Sequence, residues 1–190
     1  GLRDSGPTHW QAWLQAHHRG PVRVEQDDWQ EPDLGRWSAR IAQTIAGHEG
    51  VTWVAAAHSF GCLALAHYLE RFQGAPSIEG RGGVASALLV APAEPRKFGV
   101  EALLPQSSLP VPSVLIGSVS DPWMRIESAR AWALHWGSQF INLGDVGHIN
   151  AEAGFGPLPQ AKTLVELLMQ RAERTRRIER AHPLEISFAV

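Results

Sequence analysis

The chain of 190 residues has very little cysteine: Cys62 stands alone, so no disulfide can form within the sequence. It lacks an apolar run long enough for a membrane-spanning helix, and it lacks a recognisable signal peptide, although it begins at Gly1 without an initiator methionine. It also lacks a charge excess, since the net charge is −2 and the basic residues are spread out before the last twenty positions. We therefore expect a cytoplasmic protein with neither nucleic acid nor a membrane as a partner. A single cysteine does not indicate whether the protein works in a reducing or an oxidising compartment.

Strand-like and helix-like segments alternate along the chain, and 44% of the residues are apolar, enough for one compact core. Strands are predicted at 21–27, 51–58, 82–95, 111–122 and 139–143. Helices are predicted at 9–18, 33–47, 60–72, 126–137 and 160–178. This alternation predicts an α/β fold, a three-layer sandwich in which helices cover both faces of a mostly parallel sheet.

The last residues differ in composition from the rest. We expect a single domain over 1–178 and a C-terminal tail over 179–190. The arginine cluster before the tail fits either an acidic partner or a solvated helix end. The final segment "LEISFAV" fits an edge strand, an arm exchanged between subunits or a cloning remnant. An edge strand or the tail could pair two copies into a homodimer, but nothing in the sequence requires it.

The segment "VAAAHSFGCLALAHYL" (54–69) places Ser59 where a buried strand meets a helix. A serine on such a turn exposes its hydroxyl at the carboxyl edge of the sheet, where ligands bind in folds of this class. The backbone N–H of Phe60, at the start of the helix, suits a developing oxyanion. Gly61 is expected because the turn leaves little room for a side chain. The alternative is a serine that only caps the helix.

The segment resembles the nucleophile elbow G-x-S-x-G of α/β-hydrolases, with Ala57 in place of the first glycine. An activated serine needs a histidine base and a carboxylate to orient it, in the chain order Ser, acid, His. Asp121 follows one buried strand and His148 follows the next, so both are predicted at the edge where Ser59 emerges. These three residues are the predicted catalytic triad.

Competing residues are weaker candidates for these roles. Asp145 could be the acid, but it lies three residues before His148 in the same loop and is expected to face solvent. His58 is expected to support the turn, because neighbouring side chains on a turn point apart. No metal site is predicted, since His148 and Glu152 would give only two ligands, and no cofactor is expected.

Several segments together resemble a small branch of the α/β-hydrolases, the family that includes retinoblastoma-binding protein 9. They are "GLRDSGPTHWQAWL", "AHSFG", "APAEP", "SDPW" and "GHINAEAGFGP", with Trp29 and Pro32 between the first two. The resemblance spans roughly residues 1–170 and implies a compact serine hydrolase. It also implies a strand upstream of Gly1, and the loop after that strand would give Leu2 as the second backbone donor to the oxyanion, with Arg3 as a weaker candidate. His9 and Trp10 would line the cleft, although both positions also fit helix packing.

The connection over 92–110 is too short for a large lid, so the site is predicted to be open to water. An open cleft suits a small soluble ester, thioester or amide. Apolar walls could come from Phe60, Leu103, Trp123 and Phe155, each of which could equally belong to the core or the rim. The alternative function is a catalytically weak protein of the hydrolase fold that acts as a protein-binding module. An acyltransferase with the same triad is a third interpretation.

Overall fold

The computed structural model describes residues 1–72 and 82–185, with side chains described to residue 178. The strands are β1 Thr52–Ser59, β2 Gly83–Pro92, β3 Ser113–Gly117 and β4 Gln139–Asn142. The α-helices are α1 Trp10–Ala16, α2 Leu34–Ala46, α3 Phe60–Arg71, α4 Ile126–His135 and α5 Pro159–Glu185. Among these helices none is long and apolar enough to span a bilayer.

The four strands form one parallel sheet in the order β1-β2-β3-β4. Alternate side chains point to opposite faces, as strand geometry requires. Leu89 and Leu115 pack with α2, α3 and α4 on one face, whereas Leu88, Val90 and Ile116 pack with α1 and α5 on the other. The predicted three-layer α/β architecture is therefore confirmed, and the buried strands are apolar on both faces because helices cover both.

The predicted strand at 21–27 is wrong, because this segment forms no sheet ladder. Among the described strands β1 pairs only with β2, so its other edge is open. A cavity of about 830 Å³ lies along that edge and is lined on its far side by Val22, Val24 and Gln26. The segment 21–27 therefore pairs with none of the described strands. An alternation of apolar and polar residues is not sufficient for a strand, because a strand also needs a hydrogen-bonded neighbour. The upstream strand implied by the family resemblance stays a prediction.

Several other segments differ from or lie beyond the predicted bounds. The strand predicted at 111–122 ends at Gly117 and the strand predicted at 82–95 ends at Pro92, so both are shorter than predicted. Helix α5 continues to Glu185 rather than ending near residue 178. No glycine or proline interrupts 160–182, and the helix also continues two residues past Pro183. The strand-like end of the tail, residues 186–190, lies outside the described residues. The connection over 92–110, all of it described, holds two short 3₁₀ helices, Pro95–Phe98 and Glu101–Leu103, and no multi-helix cap.

The lone cysteine lies in the core. Cys62 on α3 is fully buried, with its Sγ 3.5 Å from the carbonyl oxygen of Val90. Burial raises the pKa of this thiol to about 12, so it remains protonated near neutral pH. Cys62 behaves as the small buried hydrophobe that its helical position predicted.

The sheet core can be tested with two leucines of opposite exposure. Leu115→Ala removes a side chain that is 0% exposed at the centre of β3 and should lower the free energy of unfolding by about 2–5 kcal/mol. Leu134→Ala removes a side chain that is 84% exposed on α4 and should change it by less than about 0.5 kcal/mol. Urea unfolding measures both, and similar losses in the two variants would contradict the layered core.

Candidate active site

Ser59 joins β1 to α3 with no intervening loop, since β1 ends at Ser59 and α3 begins at Phe60. Its φ of 56° and ψ of −129° are strained for a residue with a side chain. The turn is therefore made although Ala57 replaces the first glycine of the usual pattern. The Ser59 side chain makes no capping hydrogen bond to α3, which argues against the interpretation of Ser59 as a simple helix cap.

Crowding at Gly61 was expected, and that expectation is wrong. No atom beyond its chain neighbours and the backbone of its own helix lies within 4 Å of the position that a Cβ would occupy there. Gly61 instead borders the cavity beside β1. Gly1 is crowded by Ser59 itself, because a Cβ on Gly1 would lie 3.0 Å from the Cβ of that serine. The first residues of the chain thus pack directly against the serine.

The side chains of Ser59, His148 and Asp121 lie together at the carboxyl edge of the sheet. Nε2 of His148 is 2.9 Å from Oγ of Ser59, and Nδ1 is 2.9 Å from both carboxylate oxygens of Asp121. All three residues are nearly buried, and none of them is more than 9% exposed. A carboxylate only accepts hydrogen bonds, so Nδ1 carries the proton and donates to Asp121. Nε2 is then the acceptor for the hydroxyl of Ser59.

The loops that carry Asp121 and His148 hold each other in place. Oδ1 of Asp121 also accepts a hydrogen bond from the backbone N–H of Trp123 at 2.8 Å. The N–H groups of Val146 and Gly147 donate to the hydroxyls of Ser118 and Ser120, at 3.1 and 3.0 Å. Neither serine is among the predicted site residues. Their only signal is their position directly before Asp121, where loop serines often bond to backbone groups.

Comparisons with known proteins identify the family of this chain. The sequence profile of the serine hydrolase family matches residues 1–167. The chain belongs to the serine hydrolase family. None of the curated proteins searched matches it.

Solved structures place this hydrolase among proteins of the α/β-hydrolase fold. It is 37% identical to a protein from Pectobacterium atrosepticum described as a YdeN-like hydrolase, with a TM-score of 0.75 over 91% of this chain and 85% of that one. The ydeN gene product of B. subtilis is 19% identical, with a TM-score of 0.68 over 90% and 95%. An esterase from Rhodococcus sp. ECU1013 is 14% identical, with a TM-score of 0.59 over 88% of each chain. The last two similarities support the fold alone.

His58 makes a contact that sequence reasoning did not anticipate. Its ring is 4% exposed, and its Nε2 donates to the backbone carbonyl of His148 at 2.9 Å. The contact therefore reaches the loop of His148, in addition to any support that His58 gives to the turn at Ser59. His9 lies beside it, with ring centroids 4.7 Å apart. His9 caps α1 by accepting a hydrogen bond from the N–H of Gln11.

The aromatic residues predicted near the site fall into two groups. Trp123 is 39% exposed, and its ring centroid lies 6.0 Å from that of His148. Phe98 stacks on Trp123 and also contacts Phe60, which is fully buried and belongs to the core. Trp10 is also fully buried, which favours helix packing over lining of the cleft.

The remaining predicted residues differ in their surroundings. Leu103 is 55% exposed, and Phe155 is partly buried against the core cluster that α1 and α5 form with the sheet. The N–H of Arg3 donates to the carbonyl of Trp29 at 2.9 Å, so this group is already engaged. Within residues 1–72 and 82–185 no cluster of three or more His, Cys, Asp or Glu side chains could hold a metal ion.

The burial of His9 predicts how the stability of the protein depends on pH. Burial lowers the pKa of His9 to about 4, against about 6.5 in an unfolded chain. As the pH falls from 6.5 to 4, the unfolded state binds a proton that the folded state does not, so stability falls. His9→Asn keeps a capping acceptor without a titrating ring. The variant should lose less stability across this range, by up to ~1.4 kcal/mol per pH unit.

Urea unfolding of both proteins at pH 6.5, 5.5 and 4.5 measures this difference. Comparing slopes rather than absolute values removes the contribution of the carboxylates, which is common to both proteins. Equal slopes in the wild type and His9→Asn would contradict a neutral, buried His9.

Proposed function

We propose that this hydrolase cleaves a small soluble ester, thioester or amide through an acyl-enzyme on Ser59. The observation that carries the proposal is the imidazole of His148, with one nitrogen 2.9 Å from the Ser59 hydroxyl and the other 2.9 Å from Asp121. A nucleophile within hydrogen-bond reach of a base, with that base oriented by a carboxylate, is the arrangement that acyl transfer requires.

The proposed reaction has two stages. Oγ of Ser59 attacks the carbonyl carbon while its proton moves to Nε2 of His148, and the carboxylate of Asp121 stabilises the imidazolium. His148 then gives that proton to the leaving group as its bond to the carbonyl carbon breaks. In the second stage water attacks the acyl group, its proton passes through His148 to Oγ of Ser59, and the acid is released.

The oxyanion of each tetrahedral intermediate needs donors beside Ser59. We assign the backbone N–H of Phe60 as the first donor, because it lies at the N-terminus of α3, where N–H groups have no partner within the helix. We assign the N–H of Leu2 as the second. Two observations support Leu2: Gly1 packs against Ser59, and the neighbouring N–H of Arg3 is already bonded to Trp29.

The surroundings of the site favour a small substrate. The connection over 92–110 holds only two short 3₁₀ helices and forms no large lid. An open site of this kind suits a small substrate better than a long acyl chain. Trp123 is 39% exposed beside His148, and its ring, with Phe98 stacked on it and Nζ of Lys97 5.5 Å from its centroid, offers a partly apolar surface for the acyl or leaving group. Among the proposed substrate-binding residues Trp123 has the most support, whereas His9 and Trp10 are buried and contribute through packing.

The retinoblastoma-binding protein 9 subtype is part of the proposal. Its support is the set of segments around Ser59, Asp121 and His148, which lie together in the structure. The protein-binding alternative is less well supported, because a protein without catalysis has no need to keep both nitrogens of His148 hydrogen-bonded. The cytoplasmic location and the homodimer stay predictions.

Two carboxylates near His148 provide a matched test of the acid. Asp121→Asn should lower kcat for p-nitrophenyl acetate by about 10⁴-fold, because an amide can donate to Nδ1 and favour the wrong tautomer. Asp145→Asn, at an exposed position three residues before His148, should leave kcat within about twofold. His148→Ala and Ser59→Ala should remove turnover.

Steady-state turnover with the four variants measures these effects, and circular dichroism checks that each one folds. Asp121→Asn with wild-type kcat, or Asp145→Asn with the larger loss, would refute the assigned acid. Wild-type protein with no turnover above the Ser59→Ala background on acetate, thioester and amide substrates would favour the binding-module alternative. Adding an alcohol or amine and analysing the products distinguishes hydrolysis from acyl transfer.

A further inference from the structure

One imidazole connects the two halves of the site. His58 directly precedes Ser59 in the chain, and its Nε2–H donates to the carbonyl of His148 at 2.9 Å. The two residues are 90 positions apart in sequence, so this bond joins the turn that carries the nucleophile to the loop that carries the base. The bond uses the backbone of His148 and leaves both nitrogens of its ring for Ser59 and Asp121.

The loop that receives this bond is strained. Gly147 has a φ of 63° and Ile149 a φ of 50°, so His148 lies between two left-handed residues. Ile149 is fully buried and β-branched, and a β-branched residue rarely adopts a left-handed conformation. A strained conformation persists only where its surroundings hold it.

Hydrogen bonds stabilise this loop on both sides of His148. Ser118 and Ser120 bind the N–H groups of Val146 and Gly147, on the N-terminal side of His148. His58 binds the carbonyl of the peptide between His148 and Ile149, on the C-terminal side. Since that peptide leads into the left-handed φ of Ile149, the bond from His58 fixes the orientation of the backbone from which the catalytic ring projects.

We propose that His58 is a positioning residue that locks the loop of His148 against the turn of Ser59 through its Nε2–H bond to the carbonyl of His148. Its effect on turnover rests on the proposed function, whereas its effect on the loop does not. The residue acts through His148 and is not assigned any contact with the substrate.

The surroundings of His58 suit this role. The titratable side chains that face it are His9 and His148, and neither is a carboxylate. Burial lowers the pKa of His58 well below its ordinary value, so the ring stays neutral. A neutral ring still has one N–H to donate to the carbonyl. Its centroid lies 4.8 Å from that of the His148 ring, and because it is uncharged it does not oppose the positive charge that His148 acquires in the proposed reaction.

Two substitutions separate the hydrogen bond from simple filling of space. His58→Gln places an amide N–H at a similar distance from the backbone, and His58→Leu fills similar volume without a donor. We expect the Leu variant to lose up to ~100-fold in kcat, with KM changed less than about twofold, because a misplaced base affects the chemical step. The Gln variant should recover most of this loss.

A second measurement does not depend on turnover. Hydrogen–deuterium exchange of the peptide covering 144–152, without substrate, should be faster in His58→Leu than in the wild type and close to the wild type in His58→Gln. Thermal unfolding identifies a variant that does not fold. Should the Leu variant fail to fold, His58→Asn replaces it, because its shorter amide does not reach the carbonyl.

The outcomes distinguish this proposal from the proposed function. Wild-type kcat and exchange in the Leu variant would overturn the positioning role, as would equal impairment of the Gln and Leu variants. If the wild type itself shows no turnover, the proposed function fails, and the exchange experiment alone still supports or overturns the role of His58.

Discussion

The imidazole of His148 can activate Ser59 only while its Nδ1 proton is held by a carboxylate, because that bond decides which nitrogen is free to accept the serine proton. In this chain the two carboxylate oxygens of Asp121 lie at equal distances of 2.9 Å from Nδ1. The N–H of Trp123 fixes the carboxylate in turn. The carboxylate of Asp121 orients the ring, whereas Ser118, Ser120 and His58 bond to the backbone around His148. The chemistry of the site therefore depends on how accurately two loops and the turn at Ser59 are held together.

The parallel sheet brings Ser59, Asp121 and His148 close together. Its strands end side by side, which brings residues from three separate parts of the chain to one edge, and helices on both faces keep the strands buried. Backbone strain is concentrated at the same edge, with positive φ at Ser59, Ala91 and Ile149. The strained backbone therefore lies where a turn or a loop orients a side chain of the site. Contacts such as those of His58, Ser118 and Ser120 stabilise it.

Sequence periodicity was enough to predict the layered fold and the positions of the four described strands along the chain, because a strand that helices cover on both faces is apolar throughout. It also predicted that Ser59, Asp121 and His148 share one edge, since this follows from strand order alone. It did not predict where the third strand ends, which is Gly117 rather than residue 122. It was wrong about 21–27, because alternation does not reveal whether a neighbouring strand exists to pair with it. The bond between His58 and His148 was beyond prediction, since it depends on the path of a loop with left-handed residues, and the burial of Trp10 depends on how α1 packs.

The most direct test of the central claim is labelling with a fluorophosphonate probe, which reacts with a serine hydroxyl only when a base has activated it. After digestion, mass spectrometry of the wild type should find the adduct on Ser59, in the peptide that joins β1 to α3. His148→Ala should be labelled far more slowly, and Ser59→Ala should carry no adduct. An adduct on another residue, or equal labelling of the wild type and His148→Ala, would contradict the account.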